Sequence, residues 1–449
     1  MTHRIYLALA IPLIFSTVTT PLLGAVDTAV VGWLPDPAYI GGVAIASMIF
    51  NTMYWLFGFL RVSTSGFTAQ ADGARDSQAM KLALMRPFLV ALLIGCLFIL
   101  LQWPIKTIFF SIMNPDQAVL AAASDYFMVR IWGAPFVLMN YVILGWMMGR
   151  SFIKASFWLQ VWMNVSNIIL DIVFVKGFSF GIAGVAAATL ISEISAFLIG
   201  LFIIWKSAGI RLRDIKEPRL FEAAPFLKMM AVNRDLMIRT VCLLAVFNAF
   251  TAQGASFGTD VLAANSILIQ IHYIMAYFFD GFANASSILT GRAVGADDKD
   301  MYKKTVSLSI QWSAAAAVLL TAAYFFLREP VIRLFTNLPQ VLELADSYSA
   351  WLLLFPASGA LGLVLYGVFT GASQAAPVRN SIAAALGMYL LIQWAGVPAF
   401  ENHGLWLAFI SFTLARSVFL VFYMPALGRR LFPPERDRDM DKKAFADQT

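Results

Sequence analysis

The sequence predicts an all-α polytopic membrane protein, with twelve transmembrane helices in two pseudo-symmetric six-helix bundles. Three observations carry that expectation. Of 449 residues, 60% are hydrophobic and only 13% charged, with a mean hydropathy of +0.75, whereas a soluble chain carries about 25% charge. The apolar residues gather into runs of about 20 or more, long enough to cross a bilayer as helices that satisfy their own backbone polar groups. The first half also resembles the second at a nearly constant offset of 222 residues. This composition excludes a soluble globular protein and a disordered chain. With only Cys96 and Cys242 it also excludes a disulfide scaffold.

The runs follow in order. The first, 5–31, contains Pro12 and Pro21 and is too long for a cleavable signal. Pro35-Asp36-Pro37 separates it from 40–70, and the Gly73–Asp76 stretch separates that from 82–104. Asn114-Pro115-Asp116 precedes 119–149, which is followed by 152–176 and 181–205. Residues 206–225 are basic and read as a cytoplasmic linker between an N-terminal bundle (1–205) and a C-terminal bundle (226–428). The second bundle holds runs 226–256, 260–291 and 303–327, with a break at Pro330, and then 341–371, 377–398 and 404–427. A polar cytoplasmic tail, 429–449, closes the chain. With the N-terminus inside, 23 of the 32 basic residues face the cytoplasm and 4 face outward. The positive-inside rule therefore places both termini in the cytoplasm of a multi-pass cell-membrane protein.

The repeat is steady enough to name residue by residue. Thr68–Asp76 lies opposite Thr290–Asp298, and the same register pairs Tyr126 with Tyr348, Gly145 with Gly367, Gly149 with Gly371 and Ser151 with Ser373. Six spans per half make the halves parallel repeats, an arrangement that places a substrate site near mid-membrane where the halves meet.

Charged residues inside spans mark candidate sites, since each costs about 2.5–3.5 kcal/mol at a helix centre on insertion scales. Asn164, Asn167 and Asp171 are spaced i, i+3, i+7 and share one face of the fifth span, while Asp27 lies deep in the first. Thr189 lies in the sixth span, which returns beside the fifth. Carboxylates with amide and hydroxyl oxygens can take up a proton or cage a hard cation such as Na⁺, or they can serve as polar glue between helices. Asp27 falls opposite Asn248 and Asp171 opposite Gln393, so the acids belong to the first half alone. Ion coupling is accordingly expected there. In the eighth span, Tyr273, Tyr277, Asp280 and Asn284 share a face that suits an organic cation, or Asp280 pairs with Arg61 of the corresponding repeat span. Asp125 with Arg130, and Glu193 with Arg416, read as structural pairs or as interfacial residues.

Enzyme motifs are absent: His3, His272 and His403 are scattered, and there is no P-loop lysine. The chain is therefore expected not to be an enzyme, to need no cofactor beyond H⁺ or Na⁺ as coupling ion, and to draw its energy from an ion gradient.

Val26-Asp27-Thr28-Ala29-Val30-Val31-Gly32 downstream of Pro12, Thr68–Ala74, and Asn167-Ile168-Ile169-Leu170-Asp171 resemble the multidrug and toxic compound extrusion (MATE) family, in particular its DinF-like branch. The resemblance spans nearly the whole chain. It implies a MATE fold of two six-helix bundles in a V, and an antiporter exporting organic, often cationic, compounds against H⁺ or Na⁺ by alternating access. It implies further that Asp27, Asn167, Asp171 and Thr189 form the coupling site (the metal site if Na⁺ is the ion), that Tyr126 lies near the same cavity, and that the first helix bends at Pro12. Small organic substrates and the bilayer are the expected partners, nucleic acid is not, and a monomer is expected. A lipid-linked precursor flippase of the same superfold is the alternative; it would favour a strongly cationic cavity.

Overall fold

The computed structural model describes residues 1–18, 37–113, 116–208 and 218–433, which are helical nearly throughout. In order the helices are α1 (His3–Val18), α2 (Pro37–Leu56), α3 (Phe59–Gly73), α4 (Ser77–Leu100), α5 (Gln102–Met113), α6 (Gln117–Arg130) and α7 (Ala134–Gly149). They continue with α8 (Ile153–Ile172), α9 (Gly181–Ala208), α10 (Ala223–Ala255), α11 (Thr259–Gly295), α12 (Lys299–Arg333), α13 (Pro339–Gly371) and α14 (Ala376–Leu431).

Among the described residues, ten segments are long and apolar enough to cross a membrane, with α2–α3 and α6–α7 each acting as one. The last, α14, is two limbs, because Glu401 leaves helical geometry at φ 49°, ψ −125°. That bend lies between the predicted runs 377–398 and 404–427. Helix α1, with Pro12 inside it, is the described part of the first run. Two local features differ from expectation. Residues 105–113 continue α5, a short helix that leaves Ile108 and Ile112 exposed. Pro330 does not break the chain; it sits in the last turn of α12, where few further backbone bonds remain for a proline to disrupt.

The helices group into two compact units. One joins Phe15–Asp72 with Asp76–Asn233; the other joins Met1–Ile14 and Gly73–Arg75 with the chain from Arg234 onward. The start of α1 belongs with the second unit for specific reasons. The Tyr6 hydroxyl shares a 2.8 Å hydrogen bond with Ser286 Oγ, its ring stacks on Phe282 at 6.2 Å, and Gly281 admits the backbone of Ile14.

The repeat is visible as local geometry. Asp76 caps α4 by accepting from the amides of Gln78 and Ala79, both at 2.9 Å, and Asp298 caps α12 by accepting from Met301 at 2.8 Å. The residue before each cap is left-handed: Arg75 at φ 55° and Asp297 at φ 52°. Ser151 and Ser373, again 222 apart, both sit at φ 55° where α7 and α13 end. In each case the next amide closes back on the helix, Phe152 to the Met147 carbonyl at 2.8 Å and Gln374 to that of Phe369 at 2.9 Å. Matched caps, left-handed residues and closures at one offset are what duplicated helical units leave behind.

Close backbone approach repeats as well. Gly145 faces the carbonyl of Arg61, and Gly367 faces that of Ala283, so that α11 and α13 touch without an intervening side chain. A Cβ on Gly367 would overlap that oxygen, which is fixed backbone. Gly367→Ala is therefore expected to cost toward the upper end of the ~1–3 kcal/mol typical of overpacking. Gly387, with nothing within 4 Å of its would-be Cβ, is the control. Melting temperature and monodisperse yield in detergent should fall for Gly367→Ala and not for Gly387→Ala.

Candidate functional site

In the first unit, α8 carries Asn164, Asn167 and Asp171, and α9 returns beside it with Thr189. Asn167 is 1% exposed and Asp171 0%. The Asn167 Nδ2 donates to Thr189 Oγ1 at 3.3 Å, and that hydroxyl donates to the Val185 carbonyl at 3.1 Å. The two helices are thus joined at the polar face, one turn from Asp171. The amide oxygens of Asn164 and Asn167 are buried and accept no hydrogen bond among the described residues. Carboxylate, amide and hydroxyl oxygens on adjacent helices make a hard-donor set, suited to a proton or a small cation. Just past Asp171 the helix widens into a π-helical turn, Val173–Gly177, a local change of register that recurs at functional sites. Asp27 lies outside the described residues. Tyr126 is buried, with its ring 6.4 Å from Phe50.

The arginine nearest Tyr126 in sequence has a different partner from the expected one. Arg130 is bound in bidentate fashion by Glu193 of α9, at 2.7 and 2.5 Å, and its guanidinium lies over the rings of Phe50 (5.4 Å) and Tyr54 (5.5 Å). Asn140 Nδ2 donates to the Glu193 carbonyl at 2.9 Å. The pairings Asp125–Arg130 and Glu193–Arg416 are therefore both corrected: Arg130 and Glu193 hold each other, and Asp125 is exposed. The cause is helix phase. Arg130 and Glu193 face one another across α6 and α9, whereas Asp125 points away from the core.

In the second unit, Tyr273, Tyr277, Asp280 and Asn284 lie along α11, each half-buried. The Tyr273 ring packs at 5.1 Å from Phe247 and 5.8 Å from His272. Asp280 lies within electrostatic reach of Arg416 on α14, as does Arg239 on α10. Arg61 is half-buried on α3 of the first unit. Gln393, the counterpart of Asp171, donates to Gln253 Oε1 at 3.3 Å. Here an amide pair stands where the first unit has a carboxylate. Sequence reasoning missed a reciprocal amide pair in which Asn265 and Asn402 bond each other at 2.7 and 3.0 Å, with Trp406 Nε1 donating to Asn265 at 2.9 Å. The signal available was the polar run Glu401-Asn402-His403-Gly404 interrupting an apolar stretch.

Two repeat-related helical units with buried carboxylates, amides and arginines inside apolar spans are the build of a multi-pass membrane transporter. The chain belongs to the MatE family, whose model matches residues 12–173 and 236–394. It is 39% identical to DNA damage-inducible protein F of Escherichia coli K12 over 414 residues, covering 92% of this chain and 90% of that one. It is 22% identical to the multidrug resistance protein MdtK of Edwardsiella ictaluri, over 95% and 96% of the two chains. Among solved structures, a Vibrio cholerae MATE transporter, VcmN, superposes with a TM-score of 0.83 at 18% identity, over 96% of this chain and 98% of its own. The fold is the MATE fold.

Proposed function

We propose that the protein is a secondary antiporter that exports organic, often cationic, compounds in exchange for H⁺ or Na⁺ by alternating access. The coupling ion is taken up in the N-terminal half by Asp27, Asn167, Asp171 and Thr189. The observation that carries this reading is Asp171, fully buried one helical turn from the Asn167–Thr189 bond that joins α8 to α9. A carboxylate so placed changes its environment most when its charge changes, which is what coupling requires. Family membership and relatives named for multidrug resistance support the substrate class. The protein works as a monomer in the cell membrane, with both termini in the cytoplasm as the basic residues direct.

Everted vesicles containing the protein are expected to accumulate ethidium when an inward-acid pH gradient is imposed, and to lose it when the gradient is collapsed. Replacing the pH gradient by a sodium gradient separates the two ions: pumping under sodium alone assigns Na⁺, and pumping only under ΔpH assigns H⁺. Absence of pumping under both gradients, with the protein present and folded, would overturn the antiporter reading.

A further inference from the structure

The second unit carries more positive charge inside its spans than its acids balance. Arg239 sits midway along α10 with its guanidinium 4.1 Å from the centre of the Tyr366 ring on α13. Arg416 sits midway along the second limb of α14, 6.0 Å from the Phe412 ring. Arg416 lies within electrostatic reach of Arg239, of Asp280 and of Tyr366, the ring that Arg239 covers. Arg416 Nε is buried with no acceptor among the described residues. His272, which also faces Arg416, packs its ring between Phe355 at 4.1 Å and Phe409 at 5.0 Å. The cluster is net positive whether Asp280 is ionised or not, since it sets two guanidinium groups against one carboxyl. It thus differs in kind from Arg130, whose charge Glu193 meets directly.

Two forked donors held over aromatic faces, one of them with a buried Nε that has no acceptor among the described residues, form a receptor for an oxyanion flanked by an apolar body. We infer that α10, α11, α13 and α14 form an anion-recognition site in which Arg239 and Arg416 hold the carboxylate, sulfonate or phosphate end of an amphipathic molecule. The apolar portion lies on Tyr366, Phe412 and the Tyr273–Tyr277 face. This rests on the antiporter reading for its physiological meaning, and extends the substrates from organic cations to anions and zwitterions. The same chemistry could be presented by a soluble organic anion or by an anionic lipid headgroup.

The test uses the full chain in nanodiscs of phosphatidylcholine and reads binding directly. The probes are 2-naphthalenesulfonate and its neutral counterpart 2-naphthalenesulfonamide, followed by calorimetry. The sulfonate is expected to bind at least about tenfold more tightly, the difference one charge-assisted hydrogen-bond set makes. Arg239→Gln and Arg416→Gln should each remove most of that difference without changing sulfonamide binding, and Arg239→Lys and Arg416→Lys should keep part of it. Equal affinities for the two probes, or sulfonate binding unmoved by either glutamine variant, would overturn the site. Because removal of Arg416 could impair folding, Arg239→Gln and the two lysine variants decide the matter alone in that event. Nanodiscs containing phosphatidylglycerol separate the sources. Competition that vanishes in the glutamine variants assigns a lipid headgroup, and its absence assigns a soluble anion. Ethidium pumping in vesicles is scored separately, so failure of the antiporter reading leaves the binding result legible.

Discussion

Asp171→Asn is expected to abolish gradient-driven ethidium accumulation while leaving the protein in the membrane and its melting temperature undiminished. Asparagine reproduces the shape of the side chain but cannot take up a proton or supply a carboxylate charge to a cation. A coupled antiporter moving one charge through 100 mV has about 2.3 kcal/mol at its disposal, enough for roughly a fiftyfold concentration ratio. Without that exchange the accumulation ratio should fall to about one. Stability should move the other way or not at all, because Asp171 is fully buried and a buried carboxylate costs several kcal/mol when charged. The bond between Asn167 and Thr189 does not involve residue 171, so the contact between α8 and α9 survives the change. Thr189→Ala is the companion variant: it removes the hydroxyl oxygen and the 3.3 Å bond while retaining the carboxylate, and should slow pumping without uncoupling it. Accumulation by Asp171→Asn at the wild-type level would sink the assignment of coupling to this residue.

The architecture was legible in the sequence because hydrophobic length and an internal offset are one-dimensional properties. The register that paired Thr68–Asp76 with Thr290–Asp298 reappears as paired caps at Asp76 and Asp298 and paired left-handed residues at Arg75 and Asp297. The fifth-span face was legible for the same reason: i, i+3, i+7 spacing within one helix fixes which side chains share a side. Partnerships between helices were not. Glu193 and Arg416 look like partners in the sequence, yet Glu193 meets Arg130 and Arg416 lies within electrostatic reach of Arg239 and Asp280. Which face of one span meets which face of another depends on helix rotation, and apolar composition leaves rotation undetermined when every face is apolar. The bend at Glu401 was visible as a gap between runs, but the amide pair it brings into contact, Asn265 with Asn402, joins residues too distant in sequence for spacing to reveal.

The Arg130–Glu193 pair permits a sharper experiment on stability. Both side chains are nearly excluded from solvent, at 8% and 10% exposure, and the guanidinium is further enclosed by Phe50 and Tyr54. Removing one partner leaves a full charge in that enclosure. Glu193→Gln or Arg130→Met alone is expected to destabilise the folded protein by about 3–5 kcal/mol. Glycine at position 133, which admits both charged ends of the pair against its backbone, leaves little room for water to enter and hydrate the survivor. The double variant Arg130→Met, Glu193→Leu removes both charges and supplies apolar volume, so it should recover most of the loss. Unfolding in detergent, read on all variants of the cycle, measures the coupling between the two sites. If both single variants melt with the wild type, the pair is a surface-like contact of little consequence and its burial has been misjudged. If the double variant is as unstable as the singles, the unmet hydrogen bonds around the pair matter more than its charges, with Asn140 and its 2.9 Å bond to the Glu193 carbonyl the first place to look. A double variant that folds and still pumps ethidium would show that this ion pair fixes how α6 meets α9 and takes no part in moving the coupling ion.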